Sequence, residues 1–495
     1  MLRSEQRGNL KHRTAIQTSR LRHLLSEASR RAQRLSRPIL VSLTEPVDDP
    51  DFEPLTVYTR MGWHFAQRVL WLEPASGFAL VGAGSTLAFV SSGPDRFQLV
   101  DDDWRGMLSD ALIEGPSDPA IGPRLLGGFR FDPEREAESC WSGFPTAIMQ
   151  LPRIMLTQSQ GSRWLTQNRT VGPTDDVNEL AEILERDRES LFVIEHPAYP
   201  DYWEVPSPRP REMREFQSDR AHYEQIVAEG AAAVRQGALE KVVLARHARL
   251  DSGEAFDIDA ALERLAESYP TCTIFAFGHD SKTFLGATPE RLVELRDGVV
   301  RVDCLAGTQP RGETPEEDER LAQELLASGK NRWEHDVVLR AIRQALDGLC
   351  DEVHYPAEPG LRTVRNVHHL HTPVVARPAK GVSLLDLVGA LHPTPAVGGT
   401  PREAALAYIR EHEGWDRGWY AGPIGWLDAR GNGAFSVALR SALVDYPTSW
   451  LFAGCGIVGE SDPESEFLES AAKLRPVLGA LGISRAITDP SEARR

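Results

Sequence analysis

Lys241-Val-Val-Leu-Ala-Arg-His-Ala248 opens the most informative stretch of the chain, and Thr273-Ile-Phe-Ala-Phe277, Thr283-Phe-Leu-Gly-Ala287 and Leu292-Val-Glu-Leu295 follow it. Each run is short, rich in β-branched, aliphatic or aromatic residues, and separated from the next by turn residues, which is the pattern of strands joined by turns. From Ser218 a helical pattern (Tyr223, Ile226, Val227, Ala231, Val234) leads into the first run, and further helical patterns are grouped after the last. Strands in runs with helices grouped afterwards predict an α+β fold on antiparallel sheet, in preference to a strictly alternating parallel βαβ chain.

Alternation within the first run puts Lys241, Val243 and Ala245 on one face. An ammonium on an apolar face is unfavourable unless it is paired or deprotonated. Desolvation lowers a lysine pKa from ~10.4 toward neutrality, which is how a lysine becomes a general base. An edge-strand lysine reaching out to water is the simpler alternative.

Outward toward the N-terminus, Pro197, Pro200, Pro206, Pro208 and Pro210 crowd one stretch and read as a linker. Before it, residues 38 to about 195 alternate β-rich runs (Ile39–Leu43, Phe78–Val81, Leu87–Val90, Ile148–Leu156) with Gly, Pro and Asp turns, predicting antiparallel sheet with few long helices. Residues 1–38 hold ten Lys/Arg against two Glu, in a chain whose net charge is −17. Leu21, Leu24, Leu25 and Ala28 recur there at helical spacing, so the segment reads as a solvated basic helix in preference to a transit peptide or a nucleic-acid patch. The expected organisation is a basic segment (1–38), a β-rich half ending in the linker (39–212), a main region (213–480) and a tail (481–495).

Outward toward the C-terminus, Glu334 heads a predicted helix over 334–346, in line with Val338, Ala341 and Ala345 at about 40, −20 and 20 degrees on the helical wheel. A carboxylate heading an apolar stripe calls for a partner such as a divalent cation, or simply suits a helix N-terminus. Glu466, Glu469 and Lys473 share one face of a helix predicted to start at Ser461-Asp462-Pro463, where a solvated ion pair is the default reading. Ala453-Gly-Cys-Gly456 is a turn whose bare backbone could approach an anion. No GxGxxG or Walker A sequence is present, and His247, His335, His369 and His392 show no zinc spacing.

Composition sets the outer limits. With 41% hydrophobic residues in 495, a large core is available and a wholly disordered chain is excluded. Five cysteines without a CxxC pair read as reduced thiols. No run approaches the ~18 apolar residues of a spanning helix, and no secretory signal core is visible, so the expectation is a cytoplasmic protein. The acidic bulk of the chain opposes nucleic-acid binding.

Seven blocks in order carry a resemblance: Lys241–Arg246, Phe284–Glu290, Leu305-Ala-Gly-Thr308, Arg332-Trp-Glu-His335, His392-Pro-Thr-Pro-Ala396, Phe452–Val458 and Glu466–Lys473. Together they resemble the chorismate-utilising enzymes, and within them the isochorismate synthases, over about residues 215 to 480. Gly127-Gly-Phe-Arg-Phe-Asp132 is similar to the N-terminal half of the menaquinone-pathway type. The resemblance implies packed antiparallel sheets with helices outside, and a Mg²⁺-dependent isomerisation of chorismate to isochorismate. Lys241 resembles the base that activates water for attack at ring C2, and Glu290 the acid that protonates the departing C4 hydroxyl. Glu334 and Glu469 match direct Mg²⁺ ligands, with Glu466 as an outer-shell neighbour. Arg440, Gly454 and Lys473 match groups that bind the substrate carboxylates, and Thr308, His369 and His392 are further pocket candidates. Lys241 stands where ammonia-using relatives carry glutamine, and Ala306 where aminodeoxychorismate synthases carry a lysine nucleophile, which points to water. Cys304, Asn331 and Cys455 depart from the family pattern, and Asn331 removes a possible acidic neighbour of the metal. Salicylate synthase is the nearest rival, and a non-catalytic metabolite-binding protein the rival from another class.

Overall fold

The computed structural model describes residues 2–483 except 50, 117, 119–120, 193–212, 218, 254 and 364–366, and for 2–18 and 213–217 the backbone alone. The Pro-rich stretch therefore lies outside the described residues. The fold is mixed, with helices set around an extensive sheet whose pairings are antiparallel except that of Ile39–Pro46 with Leu112–Glu114.

The predicted runs fall in the strands Lys241–Ser252, Thr273–His279, Lys282–Thr288 and Arg291–Arg296, but the first two are joined by the helix Ile258–Ser268 and not by a turn. Two-residue alternation explains how such strands serve two cores. Val69 and Trp71 face one apolar cluster together with Phe275, Phe277 and Phe284, whereas Leu70 and Leu72 face a second with Ile274, Ala276 and Leu285. Two pairings carry the sheet across the chain: Arg68–Glu73 lies beside Thr273–His279, and Arg124–Phe129 beside Pro423–Asp428. The first half of the sequence thus supplies neighbours for the strands that carry the site.

Three findings revise the N-terminal expectations. Phe78–Val81 and Leu87–Val90 are one strand, Phe78–Ser91, with a register shift between Ser85 and Leu87 that the Gly84-Ser85 sequence made look like a turn. Three helices that the reading did not place stand there, Pro54–Gly62, Arg96–Leu108 and Val177–Leu191. Arg96–Leu108 buries Phe97, Val100 and Trp104 at i, i+3 and i+7, a signal masked by its run of aspartates. Finally, the basic segment is the helix Leu2–Leu35, and Leu21, Leu24, Leu25 and Ala28 do not face water. They are buried with Ile39, Val41, Leu180 and Leu184, so one face of this helix is docked.

Two helices present the site. Gly329–Leu346 packs on the strand Val299–Pro310, and Pro463–Ala480 packs on the strand Thr448–Ile457. No helix among the described residues is long and apolar enough to cross a membrane, and all five cysteines are free thiols.

Candidate active site

Lys241 is the first residue of its strand, and its side chain is 5% exposed, so it does not reach out to water. Its Nζ instead lies 2.5 Å from Glu334 Oε1, which answers the need for a partner on an apolar face. Space for that side chain comes from Gly456; the Ala453–Gly456 run expected as a turn is instead part of the neighbouring strand Thr448–Ile457, paired with residues 243–246. A Cβ on Gly456 would stand 2.6 Å from Lys241 Cε and 3.0 Å from its Nζ.

Glu334 sits on a helix that starts earlier than predicted. Ser328 caps it by accepting from the Asn331 N–H, so the first helical residue is Gly329 and Glu334 stands more than one turn inside. A favourable charge at the helix N-terminus therefore does not explain Glu334, and its partner is Lys241. His335 fixes the turn. Its Nδ1–H donates to the Ala306 carbonyl at 3.2 Å, leaving Nε2 to accept from the Thr372 hydroxyl at 2.8 Å, a structural use of this histidine. Asn331 has its side-chain amide on Ser328 Oγ at 2.9 Å.

Glu290 follows the strand Lys282–Thr288 through a turn. Its N–H donates to Thr288 Oγ1 at 3.3 Å, and its carbonyl accepts from Val437 N–H at 3.0 Å, which holds the backbone in place. Burial pushes its carboxyl up to about 7, against the opposing pull of the charges on Lys241 and Arg440, with Asp303 adding to the rise. A carboxyl half protonated near neutrality is poised to donate a proton.

A cationic corner adjoins these groups. Lys473 Nζ donates to the Gly454 carbonyl at 2.9 Å and pairs with Glu469 at 2.7 Å. Desolvation would lower the Lys473 pKa, but the neighbouring Cys455 and Glu469 leave it raised, so it stays an ammonium. Arg440 is in the left-handed region at φ 49°, and among the described residues its guanidinium has no hydrogen-bond partner. It is close enough to act on the pKa of Glu290, His369 and Lys473. Burial first, then Arg440 and Lys473, push His369 down to about 4, which keeps it neutral. Thr308 Oγ1 lies 2.9 Å from His369 Nδ1. A free planar fork beside an ammonium and a neutral imidazole suits carboxylate recognition.

His392 is not part of this group. It is 1% exposed, its Nε2–H donates to the Phe131 carbonyl at 3.0 Å, and burial pushes it down to about 3. The expectation that it lines the pocket is corrected: it is a core histidine at the C-terminal end of the helix Leu384–Leu391. Conversely, Tyr420 escaped the sequence reading as a site residue, and Gly456 entered it only as backbone near an anion, not as the space beside Lys241. Tyr420 is buried among Arg417, Lys473 and Arg440 and its hydroxyl is pushed up to about 12. The missing spacer side chain of a glycine is silent in sequence, and Tyr420 has no periodic signal.

The family model for "Chorismate binding enzyme" matches residues 24–482. The chain belongs to the chorismate-binding enzymes. It is 40% identical over 470 residues to the salicylate biosynthesis isochorismate synthase of Pseudomonas aeruginosa, covering 93% of this chain and 95% of that one. It is 35% identical over 479 residues to the isochorismate synthase MenF of Bacillus subtilis, covering 95% and 99%. Among solved structures, the menaquinone-specific isochorismate synthase MenF of Escherichia coli superposes with a TM-score of 0.74 at 25% identity, covering 92% of this chain and 99% of that one.

In this chorismate-binding enzyme, hard oxygen donors are available for a divalent cation. The ligand atoms of Glu466, Glu469 and Cys455 lie within 4.8 Å of one another. Burial pushes the Cys455 thiol up to about 12, so the two carboxylates are the donors suited to magnesium in that group. Glu466 accepts from Ser461 Oγ at 2.8 Å, and burial raises its pKa, whereas at Glu469 desolvation is outweighed by Lys473, Cys455 and Arg440 together, which lower it. Glu469 is thus the more firmly ionised of the pair.

Proposed function

We propose that this chain is an isochorismate synthase that isomerises chorismate by adding water at ring C2 and losing the C4 hydroxyl. The observation that carries the reading is the pairing of opposite roles in one place: a buried lysine amine, and beside it a carboxyl pushed up to about 7. Lys241 takes the proton of the attacking water, and Glu290 gives its proton to the departing hydroxyl, so one water enters and one leaves. Arg440 and Lys473, with the Gly454 backbone, hold the substrate carboxylates, and Thr308 with His369 lines the same corner.

Glu334 and Glu469 would hold Mg²⁺ with Glu466 beside them, and the cation would supply charge neutralisation at the substrate carboxylate. Without it, Glu334 serves as the counter-charge of Lys241.

Menaquinone supply is the pathway we favour, supported by the N-terminal Gly127–Asp132 block and the likeness to the Escherichia coli enzyme across 92% of the chain. Salicylate supply is the second reading, supported by the 40% identity to the Pseudomonas aeruginosa enzyme. We place the protein in the cytoplasm. Purified protein with chorismate and Mg²⁺ should give a chorismate–isochorismate mixture on chromatography, approached from either side. Unchanged chorismate would refute the activity, and stoichiometric pyruvate with salicylate would move the chain to the lyase branch.

A further inference from the structure

The strand that carries Lys241 is covered along one edge by Thr448–Ile457, which pairs with residues 242–251. Among the described residues its other edge is paired only at the ends, by Gly399–Thr400 at Lys241 and Val242, and by Met213–Gln217 at 249–252. In the gap between them a salt bridge does the work of a strand. Glu413 Oε1 accepts from the Ala245 N–H at 2.7 Å, and Arg417 Nη2 donates to the Val243 carbonyl at 2.7 Å. Arg417 Nη1 also donates to the Val397 carbonyl at 2.9 Å, next to Gly398, whose own carbonyl accepts from the Val243 N–H at 3.0 Å. The two side chains bind each other, through Arg417 Nε to Glu413 Oε2 at 2.8 Å, and are 2% and 4% exposed.

A fully buried ion pair is poor evidence for stability, because desolvation offsets the attraction and apolar residues of equal volume often serve as well. What this pair does that apolar residues cannot is supply a donor and an acceptor to the backbone at the second and fourth residues after Lys241. We infer that Glu413 and Arg417 are positioning residues for Lys241, fixing the strand and the 397–400 segment on either side of it. The tolerance is small, since the lysine side chain lies between Glu334 and the space that Gly456 leaves open.

This inference rests on Lys241 being the base, and the test separates the two. Arg417→Met removes both carbonyl clips; if it does not fold, Glu413→Gln combined with Arg417→Met leaves no unpaired charge. Kinetics are normalised to folded protein by circular dichroism, with Arg417→Lys and Lys241→Ala in parallel. A misplaced base predicts kcat down by about ten- to a hundredfold with KM changed by less than about twofold. Arg417→Lys should recover part of the loss in kcat. A purely structural pair predicts a lower thermal midpoint with kcat and KM per folded molecule unmoved, and that result overturns the inference. Retained turnover in Lys241→Ala overturns the base itself, and the positioning role with it.

Discussion

Replacing Glu290 by glutamine should raise stability while it destroys catalysis, and the gain should depend on pH in a direction set by the raised carboxyl pKa. The group is at about 7 in the folded protein against an ordinary 4.5. Below pH 4.5 it is protonated in both states and has no pH-dependent effect. Between 4.5 and 7 the folded state binds the proton that the unfolded state has lost, so folding stability falls as pH rises; above 7 the loss is complete. Integrating that difference gives a cost of about 1 kcal/mol at pH 5 and about 3 kcal/mol at pH 8. Glutamine does not ionise, so Glu290→Gln should gain about 2 kcal/mol on wild type between those two pH values. Urea unfolding at both, with wild type alongside, measures this. Turnover should fall by about 10² to 10⁴ through loss of the proton donor. A variant whose stability difference from wild type is the same at pH 5 and pH 8 would refute the raised pKa, and with it the poised acid.

Gly456→Ala should leave the fold intact, since the contact it creates is with the end of a flexible side chain, and should cut kcat about tenfold or more by pushing Lys241 off Glu334; an unchanged kcat would show that the lysine has other room. Exhaustive chelation should abolish turnover and added Mg²⁺ restore it, whereas Glu334→Gln should need much more Mg²⁺ for half activity; undiminished turnover after chelation would remove the metal from the account. His392→Ala should cost about 1–3 kcal/mol by leaving the Phe131 carbonyl unpaired, with KM for chorismate unchanged; a raised KM in stable protein would return His392 to the pocket.

The strands around the site were legible because period-two alternation survives wherever a strand divides two cores, as in Thr273–His279 and Lys282–Thr288. The helix Pro463–Ala480 was legible from its Asp462 cap and following proline. Where local turn chemistry contradicted the pattern, the reading failed, as at Gly84 within a continuous strand, and at the aspartates of Arg96–Leu108. The start of the helix bearing Glu334 was missed because Ser328 caps it through a Gly-Lys-Asn turn with no apolar period. Site residues were legible as motifs, but their partners were not: residues 241 and 334 meet only through tertiary packing, and no spacing along the chain reveals that a glycine at 456 makes room for Lys241.

Turnover of chorismate with Mg²⁺ in ¹⁸O-labelled water, with ammonium present, tests the central assignment most directly, because it reports the nucleophile and the product together. Water activated by Lys241 predicts isochorismate carrying one ¹⁸O in its new C2 hydroxyl, with little pyruvate and no amino product. Isochorismate without the label, or anthranilate or another aminated ring as the main product, would contradict the account.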